Sequence, residues 1–526
     1  MDEQSSTAPK VSSLAQLVID SFEERHLPNH EKKINVNPIV SKFASWYEKV
    51  RNAMEYREDE VILRAAIERV LRRRLLLGGN AKTTAEPLVR ELLWARYMPE
   101  GSLPESIIPQ VEEVIDFYLQ LRFKVLEKHR IPEGTLNEWI YHFISSAVEH
   151  MINPNHEKET MSNFMFQVLR DDIILQEEPE QTRSVQVYIA VRKAFDRDDL
   201  AFLRYHLFLQ YFGKVTDESI EHVAAEFLSC FREIQKQLTY PGKEKIYSYV
   251  RKRAAVFIVL EDILRVHKGS IAQLVSNPDL LEKAVIDTCD LRYKGISSKV
   301  KRAIVRSVAF ILLTKVIFAF MIEGTYERLV YGQILWTSII VNTSIPPLLM
   351  IIVSLFIRTP KIDNSKRILS YILTLLYEEK PRLGSALTIR KKPEKKAIHD
   401  VFNILWFFAF ILSFGSIVIV LTSLRFNIAS QGVFIFFLAI VSFLSYRISL
   451  MANTFSVGER QGLITPLVDF LFMPVVRVGR RLTLEISKFN FLIFFVDFII
   501  ETPFKVVFGF LDQWFHFLHN KREELD

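Results

Sequence analysis

Three long stretches of this chain contain no charged residue. They run from Leu329 to Ile357, from Val401 to Leu424 and from Phe426 to Tyr446. A helix needs about 20 apolar residues to cross the hydrocarbon core of a bilayer, where backbone polar groups can be satisfied only within the helix itself. The sequence therefore predicts an all-α, multi-pass helical membrane protein whose membrane part lies in the C-terminal half.

Charge is distributed unevenly along the 526 residues. Residues 301–526 contain 26 Lys and Arg against 16 Asp and Glu, whereas residues 1–300 contain 41 against 45. Basic residues of membrane proteins concentrate in cytoplasmic loops, whereas a nucleic-acid-binding protein carries its basic surface on the soluble domain. The distribution favours a lipid bilayer with anionic head groups as the partner and argues against nucleic acid.

Residues 13–290 carry the pattern of amphipathic helices, behind a polar tail at residues 1–12 that we expect to be disordered. In Glu58–Leu77 the apolar positions Leu63, Ile67 and Val70 recur at helical spacing, and two glycines follow directly, as at a helix stop. The polar stretch QEEPEQTR is typical of a linker and would divide this region near residues 176–184. We predict a large cytoplasmic helical domain here.

Two motifs in this region resemble known sites but lack the required context. Residues 78–83, GGNAKT, end like a phosphate-binding loop, yet the glycine before Lys82 is missing and a helical pattern precedes the motif. His142, His150 and His156 do not have the i,i+4 spacing of helical zinc ligands. The sequence therefore predicts no cofactor, metal site or catalytic residue here.

The membrane part is predicted to contain two helical hairpins, at residues 303–357 and 401–446, and the charged residues of Glu323–Arg328 are predicted to form the short connector of the first hairpin. A loop at residues 358–400 joins them and holds 11 Lys and Arg against five acidic residues. Further basic residues precede the first span and follow the fourth. The preference of basic loops for the cytoplasmic side then places both termini in the cytoplasm of a cell-membrane protein with four crossings.

Several segments are expected to lie on the cytoplasmic membrane surface. Polar and apolar positions of Arg367–Glu378 form opposite helix faces, and the same holds for Pro503–His519, whose apolar face is rich in Phe and Trp. The segments Leu467–Val476 and Phe489–Ile500 are apolar but short for a crossing, which favours re-entrant or interfacial helices within residues 447–526.

A basic cluster follows the first of these amphipathic segments, within the 358–400 loop. Each such residue close to an anionic leaflet contributes about 1 kcal/mol of attraction. We expect the cluster to bind anionic lipid head groups through Arg390, Lys391, Lys392, Lys395 and Lys396.

Four polar residues in apolar surroundings are candidate functional positions. Lys315 lies inside the first predicted span and Asn342 inside the second, where an ionisable or polar group is costly and commonly functional. Asp497 and Glu501 share one face of a C-terminal apolar segment and are the candidate carboxylate partners of Lys315. Two simpler interpretations remain: Lys315 extends its ammonium to the membrane surface, and the acids form the wet edge of an interfacial helix.

The sequence favours a non-enzymatic function. We predict a membrane-tethered interaction or scaffold protein that presents residues 13–290 to a protein partner. The first alternative is a small transporter or channel that uses the polar residues within the spans, including Lys315 and Asn342. A membrane-bound enzyme acting on lipid is the third.

Overall fold

A computed structural model describes residues 10–23, 33–34, 41–42, 44–45, 48, 61–76, 78–332, 336–357, 359–390, 396–424, 426–458, 465–488, 510, 514 and 517–518. These residues are mostly helical, which confirms the all-α prediction. They form two compact units. The first unit contains the described residues of Val11–Phe257 and Glu378–Ile389, and the second contains those of Ile258–Tyr377 and Arg390–Asn490.

The elements before residue 270 are α1 (Ser13–Glu23), α2 (Ile62–Leu76), α3 (Ala81–Trp94), α4 (Ile107–Lys128), α5 (Glu133–Ile152), α6 (His156–Arg170), β1 (Ile173–Leu175), α7 (Glu180–Val191), α8 (Leu200–Phe212), α9 (Ile220–Leu238) and α10 (Lys243–Val266). The later elements are α11 (Ile271–Ser276), α12 (Pro278–Phe318), α13 (Thr325–Tyr331), α14 (Trp336–Leu355), α15 (Ile362–Tyr377), β2 (Leu387–Ile389), α16 (Lys396–Ser423), α17 (Ile428–Ala452) and α18 (Thr465–Lys488). Two π-helical turns, Arg192–Asp196 and Ala319–Gly324, follow α7 and α12 directly.

The core of the first unit follows from apolar periodicity. On α4 the buried positions are Val111, Ile115, Tyr118, Leu121 and Val125, which lie three or four residues apart and so share one helix face. An aromatic group on α5, α8 and α9 packs against this face, with Trp139 only 1% exposed. The first unit therefore has a hydrophobic core of its own.

The motif at residues 78–83 is a helix junction. α2 ends before Gly78, which has a φ of +85° that favours glycine. The Asn80 side chain then accepts a hydrogen bond of 2.9 Å from the Thr83 backbone N–H and so caps α3. A helix on each side is not the strand–loop–helix setting of a phosphate loop.

A pair of short parallel strands ties Glu378–Ile389 into the first unit. Ile173 in β1 pairs with Leu387 in β2, and the Arg253 guanidinium donates to the Leu383 carbonyl at 2.7 Å. The sequence assigned these residues to the basic 358–400 loop, because three-residue strands are too short to display a period-2 pattern.

The second unit contains three helices that are long and apolar enough to cross a membrane, by length and composition: Pro278–Val330, Asp400–Ser423 and Ile428–Ala452. The first of them continues from α12 through the π-helical turn into α13. The prediction of a connector at Glu323–Arg328 was therefore wrong, since these residues are helical. α14, which carries Asn342, Pro346 and Pro347, also includes a shorter apolar segment.

α16 exposes large apolar side chains around much of its circumference. Phe402, Phe407 and Ile411 are 52–63% exposed, although they lie on different faces of the helix. A helix that is apolar on all sides is typical of a bilayer environment rather than of a water-exposed surface. This exposure agrees with the composition-based assignment of α16 as a candidate span.

The amphipathic segment around Arg367–Glu378 forms α15, but protein covers its apolar face. Ile368, Ile372 and Leu375 are fully buried, and α15 packs against α12. The Asn364 amide fixes the start of α15 by donating to the Tyr293 hydroxyl and the Phe455 carbonyl, at 2.8 and 2.7 Å. The expectation that this face meets lipid was therefore wrong, because amphipathicity alone does not distinguish a lipid surface from a protein surface.

The apolar segment Leu467–Val476 is part of the longer helix α18, which extends to Lys488 and packs against α16 and α17. The segment is thus part of a 24-residue helix, and its re-entrant or interfacial placement stays a prediction. At Gly479 the α17 backbone comes so close that an added Cβ would lie 1.9 Å from the Ala439 carbonyl oxygen. Phe489–Ile500 and most of Pro503–His519 lie outside the described residues.

Candidate functional site

Lys315 is completely buried in the second unit, with a relative exposure of 0%. Ile311, Lys315, Ala319 and Glu323 recur at every fourth residue and are each at most 1% exposed. This face of the helix packs against α14 and α17. The ammonium group is therefore enclosed by protein, which contradicts the simpler interpretation that Lys315 reaches the membrane surface.

The partner of Lys315 is Glu323, with 2.6 Å between Nζ and Oε1. In a regular α-helix, residues eight apart differ by roughly 80° around the axis. A π-helical turn inserts one extra residue, so the offset becomes that of residues seven apart, roughly 20°. The turn Ala319–Gly324 therefore brings the Glu323 carboxylate onto the face of Lys315.

Two further side chains complete this group, which we call the polar triad of Lys315, Glu323 and Asn342. The Asn342 amide on α14 donates to Glu323 Oε2 at 2.7 Å. The Lys315 ammonium also lies 5.3 Å from the ring centroid of Phe437 on α17, a favourable cation–π distance. The Glu323 carboxylate thus joins the long helix Pro278–Val330 to α14, and the two formal charges neutralise each other.

A second buried carboxylate lies one helical turn beyond the triad. Glu327 is 0% exposed, and the Asn427 amide approaches its Oε1 at 3.4 Å. Asn427 also caps α17, accepting from the Ser430 backbone N–H at 2.8 Å. Polar contacts therefore continue from the triad toward the junction of α16 and α17.

The sequence identified two members of the triad and missed the third. Lys315 and Asn342 were predicted, and the structure brings both to the same carboxylate. Glu323 was assigned to a connector because the charged residues of Glu323–Arg328 interrupt the apolar sequence. A spacing of eight residues also does not align two side chains on a regular helix. Asp497 and Glu501 lie outside the described residues, so their role as candidate partners of Lys315 stays a prediction.

Only part of the predicted lipid-binding cluster can be placed. Arg390 is exposed directly after β2, and Lys396 is the first residue of α16. Lys391, Lys392 and Lys395 lie outside the described residues.

The first unit contains a separate group of buried charges. The Arg64 guanidinium, on α2, reaches Glu68 and Asp199 at 2.6 Å and the Ser145 hydroxyl at 3.2 Å. Close to Arg64, Glu149 is 8% exposed, and its Oε2 has no hydrogen-bond donor among the described residues. An incompletely satisfied buried carboxyl is costly when ionised.

Burial shifts the pKa values of Glu149 and His142, two groups of this network, in opposite directions. It raises the pKa of Glu149 to about 8, although the Arg64 charge opposes the rise. It lowers the pKa of His142 to about 4, although the Glu68 charge opposes the fall. Folding therefore favours a proton on Glu149 and a neutral imidazole on His142.

Replacing Glu149 should change the pH dependence of stability. Between pH 4.5 and about 8 the folded carboxyl holds a proton that the unfolded one has released. The protonated Glu149 carboxyl therefore adds to the free energy of unfolding below pH 4.5. As pH rises above 4.5, this contribution is lost by roughly 1.4 kcal/mol per pH unit. We expect Glu149→Gln to be nearly as stable as wild type at pH 5 and more stable by roughly 3–4 kcal/mol at pH 8.

Chemical unfolding of the full-length protein at pH 5, 6.5 and 8 measures this difference. Glu226→Gln, at an exposed position on α9, is the matched control and should follow the wild-type curve. Parallel pH profiles for Glu149→Gln and wild type would contradict the assignment of a protonated Glu149.

Comparison of the chain with protein-family models, with curated proteins and with solved structures finds no match.

Proposed function

We propose that this protein is a membrane-tethered, non-enzymatic interaction protein that presents its cytoplasmic helical region, residues 13–290, to a protein partner. The observation that carries the proposal is the polar triad. Lys315 and Glu323 are both 0% exposed and 2.6 Å apart, so the two formal charges of the triad neutralise each other. A closed, neutral pair suits a bundle that is an anchor, because breaking such a pair is costly.

The first unit supplies the interaction half of the proposal. It has its own hydrophobic core and therefore does not need lipid to bury the apolar faces of α4, α5 and α9. On α4 the ring of Phe123 is 61% exposed. Exposed aromatic side chains are frequent anchors in protein–protein interfaces.

Photo-crosslinking tests the proposal on the full-length protein in cells. A photoreactive phenylalanine would replace Phe123 on α4 or, as the matched control, Phe407 on α16, which is 63% exposed. We expect protein adducts from position 123 and mainly lipid adducts from position 407. Lipid adducts alone at position 123 would contradict a protein-binding role for the helical unit.

We also propose four crossings of the cell membrane with both termini in the cytoplasm. The three candidate spans and α14 supply the four helices, and the 11 basic residues of the 358–400 loop favour the cytoplasmic side. On this topology the α16–α17 turn faces outward.

Cysteine labelling tests the topology, since Cys230 and Cys289 are buried and give little background. Membrane-impermeant maleimide on intact cells should label Ser423→Cys, at the outer end of α16, and should not label Ala386→Cys before β2. Both introduced positions are exposed. Labelling of Ala386→Cys in intact cells would reverse the proposed orientation.

A transporter or channel is the second candidate, and one observation favours it. Asn342 is 0% exposed, yet its Oδ1 has no donor among the described residues, and Pro346 and Pro347 follow on the same helix. Broken helices with unpaired polar groups can line a transport path. Proton and cation flux in liposomes that is lost in Lys315→Met and retained in Lys299→Met would favour transport over anchoring.

A further inference from the structure

A cavity of about 200 Å³ lies inside the first unit, apart from the polar triad and its helices. It is bounded by α7, by the start of α8 and by the α9–α10 junction. Its apolar wall consists of Ile189, Ala190, Leu200, Leu203 and Leu238. The volume exceeds the roughly 30 Å³ share of one water molecule and is below the roughly 300–1,000 Å³ of pockets for drug-sized ligands. The space therefore suits a small group.

Gln186 gives this cavity a single unsatisfied acceptor. The residue is 1% exposed and lines the cavity. Its Nε2 donates to the Gln237 carbonyl at 2.8 Å and to Gln237 Oε1 at 2.9 Å. Because both partners are acceptors, the amino group must face Gln237, and Gln186 Oε1 has no donor among the described residues. A buried amide oxygen in this position calls for an N–H or O–H group.

Two of the three acidic side chains at the cavity are paired, and the third, Glu244, is exposed to solvent. Asp198 binds Arg192 at 2.7 Å, and Asp199 binds Arg64 at 2.6 Å. These contacts neutralise the Asp198 and Asp199 carboxylates, so these two offer little attraction to a cationic ligand.

The two lysine side chains that line the cavity, Lys193 and Lys243, also have partners. The Lys243 ammonium donates to the Leu238 carbonyl at 2.7 Å, and that of Lys193 lies 4.8 Å from the ring centroid of Tyr247. With these four charges engaged and Glu244 in contact with solvent, the buried part of the cavity offers an apolar wall, an aromatic ring and the Gln186 acceptor.

We propose that this cavity is a binding site for a neutral, apolar group that carries one hydrogen-bond donor, an indole or a phenol, with Gln186 Oε1 as the acceptor. The chemistry is the same whether the group belongs to a small molecule or to a tryptophan or tyrosine side chain of a protein partner. The site is independent of the anchoring function, because it lies wholly in the first unit.

Titration of the full-length protein with indole and with indene, which has the same shape but no N–H, tests the acceptor directly. Binding is measured by ligand-observed NMR. Since a buried acceptor without a donor is costly, we expect indole to bind about 5–10-fold more tightly than indene. In Gln186→Leu the two ligands should bind equally, whereas the control Gln120→Leu, exposed on α4, should keep the wild-type ratio.

The comparison of indole with indene on the unmodified protein requires no variant to fold. Equal binding of the two ligands, or no binding of either at millimolar concentration, would overturn the proposal. A further titration with N-acetyltryptophanamide distinguishes the two sources: tighter binding than indole indicates a partner side chain, and weaker binding indicates a small molecule. Both of these results support the site, and neither bears on the crosslinking test at Phe123.

Discussion

Lys315→Met is expected to destabilise the second unit strongly, by about 3–5 kcal/mol, because it leaves the Glu323 carboxylate buried without its cation. The double variant Lys315→Met with Glu323→Met should recover most of this loss. It removes both charges and leaves apolar side chains of similar length between α12, α14 and α17. Replacing a whole buried ion pair by apolar groups is often neutral, whereas removing one partner is not.

Thermal unfolding in detergent of wild type, Lys315→Met, Glu323→Met and the double variant measures the coupling energy between the two positions. The coupling energy should be at least about 2 kcal/mol. Lys299→Met, at an exposed position of the same helix, is the control and should be close to neutral. Additive effects of the two single substitutions would contradict an ion pair between Lys315 and Glu323.

Gly479→Ala is the second substitution with a large expected effect. Its new Cβ would lie 1.9 Å from the Ala439 carbonyl oxygen and 2.9 Å from the Phe443 Cβ, distances that no side-chain rotation relieves. α18 must therefore move away from α17 and loosen the packing between them. We expect a loss of about 3 kcal/mol, at the upper end of the usual range for overpacking.

Gly432→Ala provides the matched control, because it lies on α17 where an added Cβ meets no other atom within 4 Å. Alanine is the better helix former by up to about 1 kcal/mol, so this variant should be as stable as wild type or slightly more stable. The same melting experiment in detergent compares the two. Equal stability of Gly479→Ala and Gly432→Ala would contradict the close approach of α17 and α18.

Together the two experiments test different parts of the proposed anchor. The Lys315–Glu323 cycle tests whether the buried ion pair stabilises the long helix Pro278–Val330, and the glycine pair tests backbone packing between α17 and α18. An anchor whose polar triad is structural should respond to both with a loss of stability.

Local patterns along the chain were sufficient for several features of the structure. The helix before Gly78 and the apolar stripe beginning at Val111 follow from periodicity and from the conformational freedom of glycine. The apolar character of α16 and α17 follows from composition alone. Each of these depends on neighbours within a few residues, which the sequence lists directly.

Local sequence patterns did not determine whether lipid or protein covers an apolar helix face. The apolar face of α15 was expected to meet lipid, yet Ile368 and Ile372 are buried by protein. The apolar segment at Leu467 was expected to be short, yet α18 continues past its charged residues to Lys488. The hydrophobic effect is non-directional. The sequence therefore shows that an apolar face must be covered, but it does not show what covers it.

The sequence by itself determined that this chain is helical, that its apolar helices lie in the C-terminal half, and that Lys315 and Asn342 are unusual there. Only the tertiary structure supplied Glu323 as their common partner. The π-helical turn at Ala319–Gly324 changes the angular register by one residue, and the packing of α14 brings Asn342 to the same carboxylate. A local change of helical phase and a contact between distant helices leave no periodic signal in the chain, because each depends on how neighbouring elements pack.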